Sequence, residues 1–312
     1  MHHHRLDRLR GSMVALVTPF QDGRIDEEAF TRLCERQIRA GSSALVPCGT
    51  TGEAPTLTHV EQSRLIHLAV KAANGRVPVI AGAGSNCTAT TIEMIRHAQV
   101  LGADAALCIV PYYNRPSQEG LFRHFEAVQA STTLPVLLYD VPKRTGTALE
   151  LDTIVRLSRL PNIVGLKDAS GDMARAGRLR YALPPEFLRL CGDDGLLAEH
   201  LALGGQGSIS VTANIAPALC AEIQEAWALH DSDRFVTLNE QLAELNTALF
   251  AESNPVPVKW ALARLGLISD ELRLPLTPLA QRHHQRVRLA LQAILPAEAQ
   301  AASHPRRFAE VA

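Results

Sequence analysis

The sequence lacks an excess of charge of either sign and lacks a long apolar run. Its 31 Lys and Arg residues against 32 Asp and Glu residues leave a formal net charge of -1, so electrostatics gives no reason to expect nucleic acid or an acidic membrane as a partner. No apolar run approaches the roughly 20 residues of a membrane-spanning helix. The first residues, MHHHR, lack the apolar core of an export signal. We therefore expect a soluble, cytoplasmic protein that binds neither nucleic acid nor membrane.

The sequence also lacks closely spaced cysteines. Its six cysteines are scattered and form no CxxC pair, a pattern typical of reduced thiols that fill the core of a cytosolic protein. A GxGxxG motif after the first predicted strand is missing as well, which weakens a dinucleotide-binding interpretation.

Lysine is scarce, with four in the whole chain, and one of the four lies in an unusual place. The other three lie where a solvated charge is expected: Lys71, Lys143 and Lys259. Lys167 follows a short apolar run, and strand alternation would put it on one face with Ile163 and Gly165. Loss of hydration on such a strand favours the neutral, nucleophilic amine. The alternative is a lysine whose stem is buried while its ammonium group reaches solvent at the strand end.

Apolar segments alternate with helical segments eight times before residue 215. The predicted strands are 13–19, 44–48, 77–81, 105–110, 136–139, 163–167, 188–191 and 208–211. Apolar strands separated by helices are typical of a parallel sheet covered on both faces, and eight such units favour an α/β fold of the (β/α)8 TIM barrel type. We expect an N-terminal extension at 1–11, a catalytic barrel at 12–215, a C-terminal helical region at 216–295 and a disordered tail at 296–312.

In such a barrel the active site lies at the C-terminal ends of the strands. The polar residues there include hydroxyl groups, which both donate and accept protons, as a relay to a lysine nucleophile requires. The strand ends supply Thr50, Thr51, Tyr112, Tyr113, Tyr139 and Lys167. No carboxylate pair or histidine cluster falls there with the spacing of metal ligands. The pattern therefore favours a metal-free Schiff-base mechanism over a metal-dependent aldolase.

With these residues the sequence resembles the 4-hydroxy-tetrahydrodipicolinate synthase family, also called the dihydrodipicolinate synthase family. The resemblance covers about residues 11–295. It rests on the segments GTTGE (49–53), PYYNRPSQEG (111–120), Tyr139 with RTG (144–146), GLKD (165–168), SISVTAN (208–214), NPVPVK (254–259) and RLPLTP (273–278). The ten-residue segment is highly specific, whereas GTTGE is shared across the wider pyruvate-aldolase superfamily.

The resemblance implies a lyase that condenses pyruvate with L-aspartate 4-semialdehyde, the first committed step of the diaminopimelate route to lysine. It implies that Lys167 forms a Schiff base with pyruvate and that Tyr139 is the general acid and base. Thr50 and Tyr113 would complete a proton relay, with Tyr113 reaching in from a neighbouring subunit of a homotetramer, a dimer of dimers. No cofactor is implied beyond the covalent bond between Lys167 and its substrate.

The same resemblance assigns the substrate contacts. Thr51 and the backbone of Ile209 would hold the pyruvate carboxylate and the imine. Arg144 would bind the carboxylate of the semialdehyde, a task that suits the planar, two-pronged guanidinium group. Gly165 has no side chain, and we expect it to leave room below Lys167 in the barrel.

Two departures from the family pattern concern Asp140 and the binding site for L-lysine. Asp140 stands where many members carry Asn; it should point away from the barrel interior, and we give it little weight. Members inhibited by L-lysine bind it at positions matching His59, Gln62, Gly84, Asn86, Thr90 and Tyr112. The match fails at two positions, where Thr90 replaces a carboxylate and Gln62 replaces a histidine. Loss of a charged partner costs roughly a few kcal/mol, so we expect weak or absent feedback.

Three alternatives stay open at this point. Another pyruvate-dependent class I aldolase, either N-acetylneuraminate lyase or an aldolase for keto-deoxy sugar acids, would share the lysine and the tyrosine. Arg144 and the tyrosine pair argue against it, because a sugar substrate lacks the carboxylate that Arg144 would meet. A non-catalytic regulatory barrel is disfavoured because the lysine, tyrosine and threonine are all present. A phosphate-binding barrel would use Gly204 and Gly205 as an anion loop, but segment 207–211 offers no basic partner.

Overall fold

Eight parallel strands surround the centre of the protein in the computed structural model, which describes residues 9–303. They are β1 (Gly11–Ala15), β4 (Ala44–Val46), β5 (Ile80–Gly82), β6 (Ala105–Ile109), β7 (Val136–Asp140), β8 (Ile163–Asp168), β9 (Leu188–Cys191) and β10 (Gly207–Ser210). Their spatial order is β4-β1-β10-β9-β8-β7-β6-β5, and a parallel bridge between Leu45 and Val79 joins the two ends. The nearly closed barrel confirms the predicted (β/α)8 fold. A separate antiparallel hairpin consists of β2 (Phe20–Gln21) and β3 (Arg24–Ile25).

Helices follow the strands and continue beyond the barrel. They are α1 (Glu27–Ala40), α2 (His59–Ala73), α3 (Thr88–Val100), α4 (Gln118–Ala130), α5 (Pro142–Thr145), α6 (Leu151–Leu157), α7 (Met173–Ala182), α8 (Leu197–Ala202), α9 (Pro217–Ala228), α10 (Ser232–Ala248), α11 (Val256–Arg264) and α12 (Gln281–Ala302). Thr58 and Glu61 form a capping box at the start of α2, where it satisfies backbone N–H groups that the helix leaves unpaired. Of the helices described between residues 9 and 303, none is long and apolar enough to cross a bilayer.

The apolar core has two layers. Side chains that point into the barrel, among them Met13, Leu137 and Leu190, form an inner cluster. Side chains on the other face of the strands, such as Leu45 and Leu166, pack against the helices in an outer cluster. Strands buried on both faces explain the near-continuous apolar runs in the sequence.

Strand β8 does not alternate regularly along its whole length. Its pairing with β7 shifts by one residue between Ile163 and Gly165, so that Val164 is extra. Ile163 accordingly packs in the outer cluster, whereas Val164 packs against the inner one. The prediction that Ile163 shares a face with Gly165 and Lys167 is therefore wrong, because the irregularity reverses the alternation.

The barrel begins earlier in the chain than predicted. Gly11 is the first residue of β1 and pairs with Gly207 of β10. Leu9 is buried and belongs to the inner cluster. The expected end of the N-terminal extension at residue 11 therefore lies too late in the chain, since the inner core needs the residues before it. The rest of that extension, residues 1–8, falls outside the described residues.

The predicted C-terminal helical region holds α9 to α12, and it runs further than predicted. Helix α12 contains Pro296 and ends at Ala302. Glu298 is buried and accepts hydrogen bonds, both of 2.9 Å, from the backbone N–H groups of Ala218 and Leu219. These groups lie at the N-terminus of α9, where they have no partner within the helix. The expected disorder is therefore wrong for 296–302, and residues 304–312 lie outside the described residues.

Candidate active site

Tyr139 and Lys167 lie side by side at the C-terminal ends of β7 and β8. They are partners in the parallel register of the two strands, and both are buried, with 7% and 6% of their surface exposed. Nζ of Lys167 lies 4.3 Å from the centroid of the Tyr139 ring, and the Tyr139 hydroxyl lies 3.5 Å from Oγ1 of Thr50. Ile209 packs in the same inner cluster. Three of the four side chains predicted to be catalytic therefore come together.

Two glycines shape the space around the lysine. A methyl group at Gly192 would lie 2.8 Å from Cβ of Ala169, 3.0 Å from the backbone oxygen of Asp168 and 3.1 Å from Cε of Lys167, so the backbone packs closely beside the lysine stem at this point. At Gly165 a methyl group would lie 2.6 Å from Cβ of Leu188 and 2.7 Å from Cδ2 of Leu137. Those two leucines already fill the space that we expected Gly165 to leave open, because the strands approach closely at this point. No local pattern in the sequence indicates this role of Gly192.

The turn 49–53 presents two threonines at the rim of the barrel. Thr51 is buried, and its Oγ1 accepts a hydrogen bond of 2.9 Å from Nδ2 of Asn254. A hydroxyl group can accept and donate at the same time. The proton of Thr51 is therefore available for an acceptor such as a carboxylate, while its oxygen is held in place.

Lys259 is buried, and not the solvated lysine that the sequence indicated. Its Nζ lies 2.6 Å from Oε1 of Glu53, and both side chains have 0% exposure. The other carboxylate oxygen of Glu53 accepts a hydrogen bond of 3.1 Å from the backbone N–H of Arg273. Because Glu53 belongs to the turn that carries the two threonines, these contacts tie that turn to the C-terminal region. The prediction failed because the partner lies 206 positions away in the chain.

Arg144 lies on the short helix α5 and is exposed to solvent. Its Nη2 donates a hydrogen bond of 3.0 Å to the backbone carbonyl oxygen of Asn254. Asn254 thus contacts both predicted carboxylate-binding residues, Thr51 through its side chain and Arg144 through its backbone. Asn254 belongs to the family segment NPVPVK (254–259), but no local sequence pattern relates it to either partner, so its role could not be predicted.

Tyr113, the fourth predicted catalytic residue, is not part of the cluster within one chain. Its side chain is 90% exposed, whereas Tyr139 and Lys167 are buried. Its φ of 72° is uncommon for a residue other than glycine. The loop therefore holds this aromatic side chain away from the core of its own chain, through a conformation that costs free energy.

The model of the dihydrodipicolinate synthetase family matches residues 8–294 of the chain. The chain belongs to this family. The 4-hydroxy-tetrahydrodipicolinate synthase of Phenylobacterium zucineum is 50% identical to it over 91% of this chain and 96% of its own length. That of Hyphomonas neptunium is 52% identical over 86% of this chain and 92% of its own length.

Solved structures of the family match as well. The chloride-inhibited dihydrodipicolinate synthase of Acinetobacter baumannii, complexed with pyruvate, is 47% identical and superposes with a TM-score of 0.89 over 91% of this chain and 98% of its own. The 4-hydroxy-tetrahydrodipicolinate synthase of Methylacidiphilum fumariolicum is 42% identical, with a TM-score of 0.91 over 94% and 98%. These relatives confirm the predicted fold, the predicted enzyme class, a lyase, and the predicted function, 4-hydroxy-tetrahydrodipicolinate synthesis.

Most residues that match the lysine-binding positions of the family lie along one cavity of about 250 Å³. Five of the six matching residues line it: His59, Gln62, Gly84, Thr90 and Tyr112. The catalytic candidates Thr50 and Tyr139 line it too. Asn86 does not, and its backbone carbonyl accepts a hydrogen bond of 2.8 Å from Nδ2 of Asn114. None of the described residues that line the cavity is Asp or Glu.

The acidic groups next to Tyr139 and Lys167 are bound by an arginine. Asp140 and Asp168 directly follow Tyr139 and Lys167, and the guanidinium group of Arg175 lies 2.6 Å from each carboxylate. Asp140 is fully buried, and this burial raises its pKa to about 6. The predicted orientation of Asp140, away from the barrel interior, agrees with its contact to Arg175 of α7. Between residues 9 and 303, no three His, Cys, Asp or Glu side chains come together as a metal site would require.

Proposed function

We propose that this enzyme condenses pyruvate with L-aspartate 4-semialdehyde through a Schiff base between Lys167 and pyruvate. One observation carries the proposal. A buried lysine amine lies 4.3 Å from the ring of a buried tyrosine, whose hydroxyl is 3.5 Å from a threonine hydroxyl. A lysine amine shielded from water is a nucleophile for ketones, and adjacent hydroxyl groups transfer protons to and from the reacting atoms.

The first step forms the imine. The neutral amine of Lys167 attacks the ketone carbon of pyruvate, the carbonyl oxygen takes up protons and leaves as water, and a C=N bond replaces the C=O bond. Tyr139 carries these protons, with Thr50 as the next group of the relay. Thr51 donates its hydroxyl proton to the pyruvate carboxylate while Asn254 holds its oxygen, and the backbone of Ile209 supports the imine.

The second step forms the new carbon–carbon bond. The imine withdraws electrons, so loss of a methyl proton gives an enamine, and no separate cofactor takes part. The enamine carbon attacks the aldehyde carbon of the semialdehyde, whose oxygen takes up a proton. Arg144 binds the carboxylate of the semialdehyde. The amine of the semialdehyde then attacks the imine carbon, displaces the neutral Lys167 amine and closes the ring.

Tyr113 is proposed to act in the site of a neighbouring subunit. Its 90% exposure and its positive φ favour this role, because aromatic side chains are enriched at subunit interfaces. In a two-fold symmetric dimer each copy would supply its tyrosine to the other. We propose a homotetramer built from two such dimers.

Reduction with sodium borohydride in the presence of pyruvate tests the Schiff base. We expect a pyruvyl adduct on Lys167, located by peptide mass mapping, and none on Lys71, Lys143 or Lys259. An adduct on another lysine, or no adduct, contradicts the mechanism. Turnover of aspartate semialdehyde but not of N-acetylneuraminate separates the proposed substrate from that of the related aldolases.

Mixed oligomers test the role of Tyr113. We expect K167A and Y113F each to lose most activity when expressed alone. In a hybrid dimer one site combines an intact Lys167 with the partner's intact tyrosine, so co-expression in equal amounts should restore activity to about a quarter of the wild-type value. Purified hybrids that show no recovery would contradict the exchange of Tyr113 between subunits.

We propose that L-lysine inhibits this enzyme weakly or not at all. The lysine ammonium group would enter a cavity whose described lining holds no carboxylate, and an uncompensated charge in such a place is unfavourable. Steady-state assays with sub-millimolar L-lysine should show little inhibition, and substantial inhibition would contradict the proposal. T90E, which supplies a carboxylate to the same cavity, should increase the sensitivity.

We also propose that the enzyme acts in the cytoplasm. All six cysteines are free of disulfide bonds, and five of them are buried, as is typical of a reducing compartment. Fractionation of the source cells with an antibody to the chain would test this, and recovery from an exported fraction would contradict it.

A further inference from the structure

The residues that follow the catalytic pair form a second pair on the outer side of the barrel. Asp140 and Asp168 are partners in the register of β7 and β8, one position beyond Tyr139 and Lys167. Successive side chains of a strand point to opposite faces, so these two carboxylates lie between the strands and the helices. Their side chains are 0% and 3% exposed. Two buried carboxylates on adjacent strands repel each other unless a cation separates them.

Arg175 on α7 is that cation. Its Nη1 donates to Oδ2 of Asp140 and its Nη2 to Oδ1 of Asp168, each at 2.6 Å. Nη1 also donates to the backbone carbonyl oxygen of Leu149 at 2.9 Å. The guanidinium group therefore joins the ends of two strands and the loop before α6.

The backbone on both sides of this bridge is also fixed. Asp140 accepts a hydrogen bond of 3.3 Å from the Leu149 N–H, and Asp168 accepts bonds of 2.9 Å and 2.6 Å from the N–H and hydroxyl of Ser170. The N–H of Arg175 donates at 2.8 Å to Asp172, the N-cap of α7. The arginine thus projects from a capped helix start, and its position leaves little freedom to either strand end.

We propose that Arg175 is a positioning residue for the reaction: by holding Asp140 and Asp168 together, it fixes the separation of Tyr139 and Lys167. Each carboxylate is joined to its catalytic neighbour by a single peptide unit, which is planar and stiff. A change in the spacing of the carboxylates is therefore transmitted to the proton relay. The inference rests on the proposed function, since it assigns a consequence to the distance between the nucleophile and its acid and base.

The reaction should be sensitive to this spacing because proton transfer requires groups within hydrogen-bonding distance. A displacement of about 1 Å at a catalytic group can lower a rate about a hundredfold. The pyruvate carboxylate is held elsewhere, by the turn that carries Thr51. Loss of the bridge should therefore reduce kcat more than it raises KM for pyruvate.

Substitutions at Arg175 and Asp140 test the inference. R175M removes the cation, and we expect kcat to fall at least about tenfold while KM for pyruvate changes less than about threefold. R175K keeps the charge but cannot bind both carboxylates as a planar fork does, so we expect a smaller fall of several-fold. D140N keeps an acceptor for Arg175 but removes one charge of the bridge, so we expect its kcat to fall less than that of R175M. The double variant R175M/D140N removes one repelling charge and should recover part of the activity lost in R175M.

A matched control is R36M. Arg36 is a partly buried arginine that donates bonds of 2.7 Å to the carbonyl oxygens of Asn214 and Ile215, away from the carboxylate pair. We expect it to lower the unfolding midpoint without changing kcat. If R175M does not fold, the kcat and the KM for pyruvate of R175K test the inference. A kcat within about twofold of wild type in each folded variant at position 175, or an effect on KM alone, would overturn the inference.

Borohydride trapping separates this inference from the proposed function. Wild-type protein that yields no adduct at Lys167 would contradict the proposed function itself. Wild-type protein that yields the adduct, with R175M or R175K trapping pyruvate at the same rate and turning over at the same kcat, would contradict only the role of Arg175. Slower trapping in the variants, with the adduct still on Lys167, is the expected result.

Discussion

At the scale of single residues, two buried lysines differ in what surrounds the amine. Lys259 faces Glu53 at 2.6 Å, so each charge compensates the other. Lys167 takes part in none of the ion pairs found among residues 9–303, and its Nζ lies against the Tyr139 ring. An ammonium group that is paired with a buried carboxylate is held in that ion pair, whereas an amine without a carboxylate partner is free to react. The first lysine is structural, and the second is the proposed nucleophile.

The ion pair of Lys259 and Glu53 gives a prediction for stability. K259M leaves the Glu53 carboxylate buried and uncompensated, which should lower the free energy of unfolding by about 3–5 kcal/mol. The double variant K259M/E53Q should recover part of that loss because no buried charge remains. Urea unfolding measures both, with K71M as the exposed control. A K259M loss no larger than that of K71M would contradict the prediction.

Asp140 gives a prediction for the pH dependence of stability. Burial raises its pKa from 3.8 to about 6, so between these values the folded protein holds a proton that the unfolded chain releases. The free energy of unfolding should therefore contain a contribution that falls as the pH rises through this window. D140N should lack that contribution. Urea unfolding of both proteins at a series of pH values measures it, and parallel curves would contradict the prediction.

At the scale of elements, the irregularity in β8 decides which side chains face the active site. The extra residue, Val164, reverses the alternation set by Ile163, and from Gly165 onward the strand is in register with β7. Gly165 then lies on the inner face with Lys167, close against the side chains of the neighbouring strands. The position of the Lys167 side chain therefore depends on two features of β8, its shift in register and Gly165.

G165A tests this dependence. The added methyl group would lie 2.6 Å from Cβ of Leu188, and overpacking of this kind costs about 1–3 kcal/mol. We expect a lower free energy of unfolding and a lower kcat, because the strand must move and Lys167 moves with it. G177A, in α7, is the control, since its methyl group would lie 3.5 Å from Cδ2 of Leu203, an ordinary van der Waals distance. An active and fully stable G165A would show that the strands have room to adjust.

At the scale of the whole molecule, the C-terminal helical region is part of the active-site architecture. Asn254 binds Thr51 and Arg144, and Lys259 binds Glu53. Glu298 of α12 meanwhile holds the start of α9. The barrel supplies the proposed catalytic pair, Tyr139 and Lys167, and the region beyond it contacts the residues proposed to bind the two substrate carboxylates.

The contact of Glu298 with α9 can be tested directly. E298A removes the acceptor for two backbone N–H groups at a helix N-terminus, which should lower the free energy of unfolding by about 1–2 kcal/mol. E298Q keeps one acceptor oxygen and should lose less. Thermal unfolding measures both, while kcat is expected to stay close to wild type. Equal stability of E298A and wild type would contradict the proposed contribution.

The features that could be predicted from the sequence are those that depend on residues close together in the chain. The capping box of Thr58 and Glu61 at the start of α2 is such a feature, because its two residues lie three positions apart. The apolar strands and the polar residues at their ends were predicted in the right order, because strand and helix periodicity depends on near neighbours. Thr50, Tyr139 and Lys167 could be assigned to one rim for the same reason, since a barrel gathers the C-terminal ends of its strands.

The remaining features depend on residues that only the folded chain brings together. The partner of Glu53 lies 206 positions away, that of Thr51 lies 203, and that of Asp140 lies 35. No periodicity relates such positions, so the sequence could not show that Lys259 is buried or that Arg175 joins two strands. The sequence by itself determined the barrel, the order of its strands and the candidate lysine, because these follow from local hydrophobic patterns. The tertiary structure alone decided which charges are buried and paired, because pairing requires proximity in space.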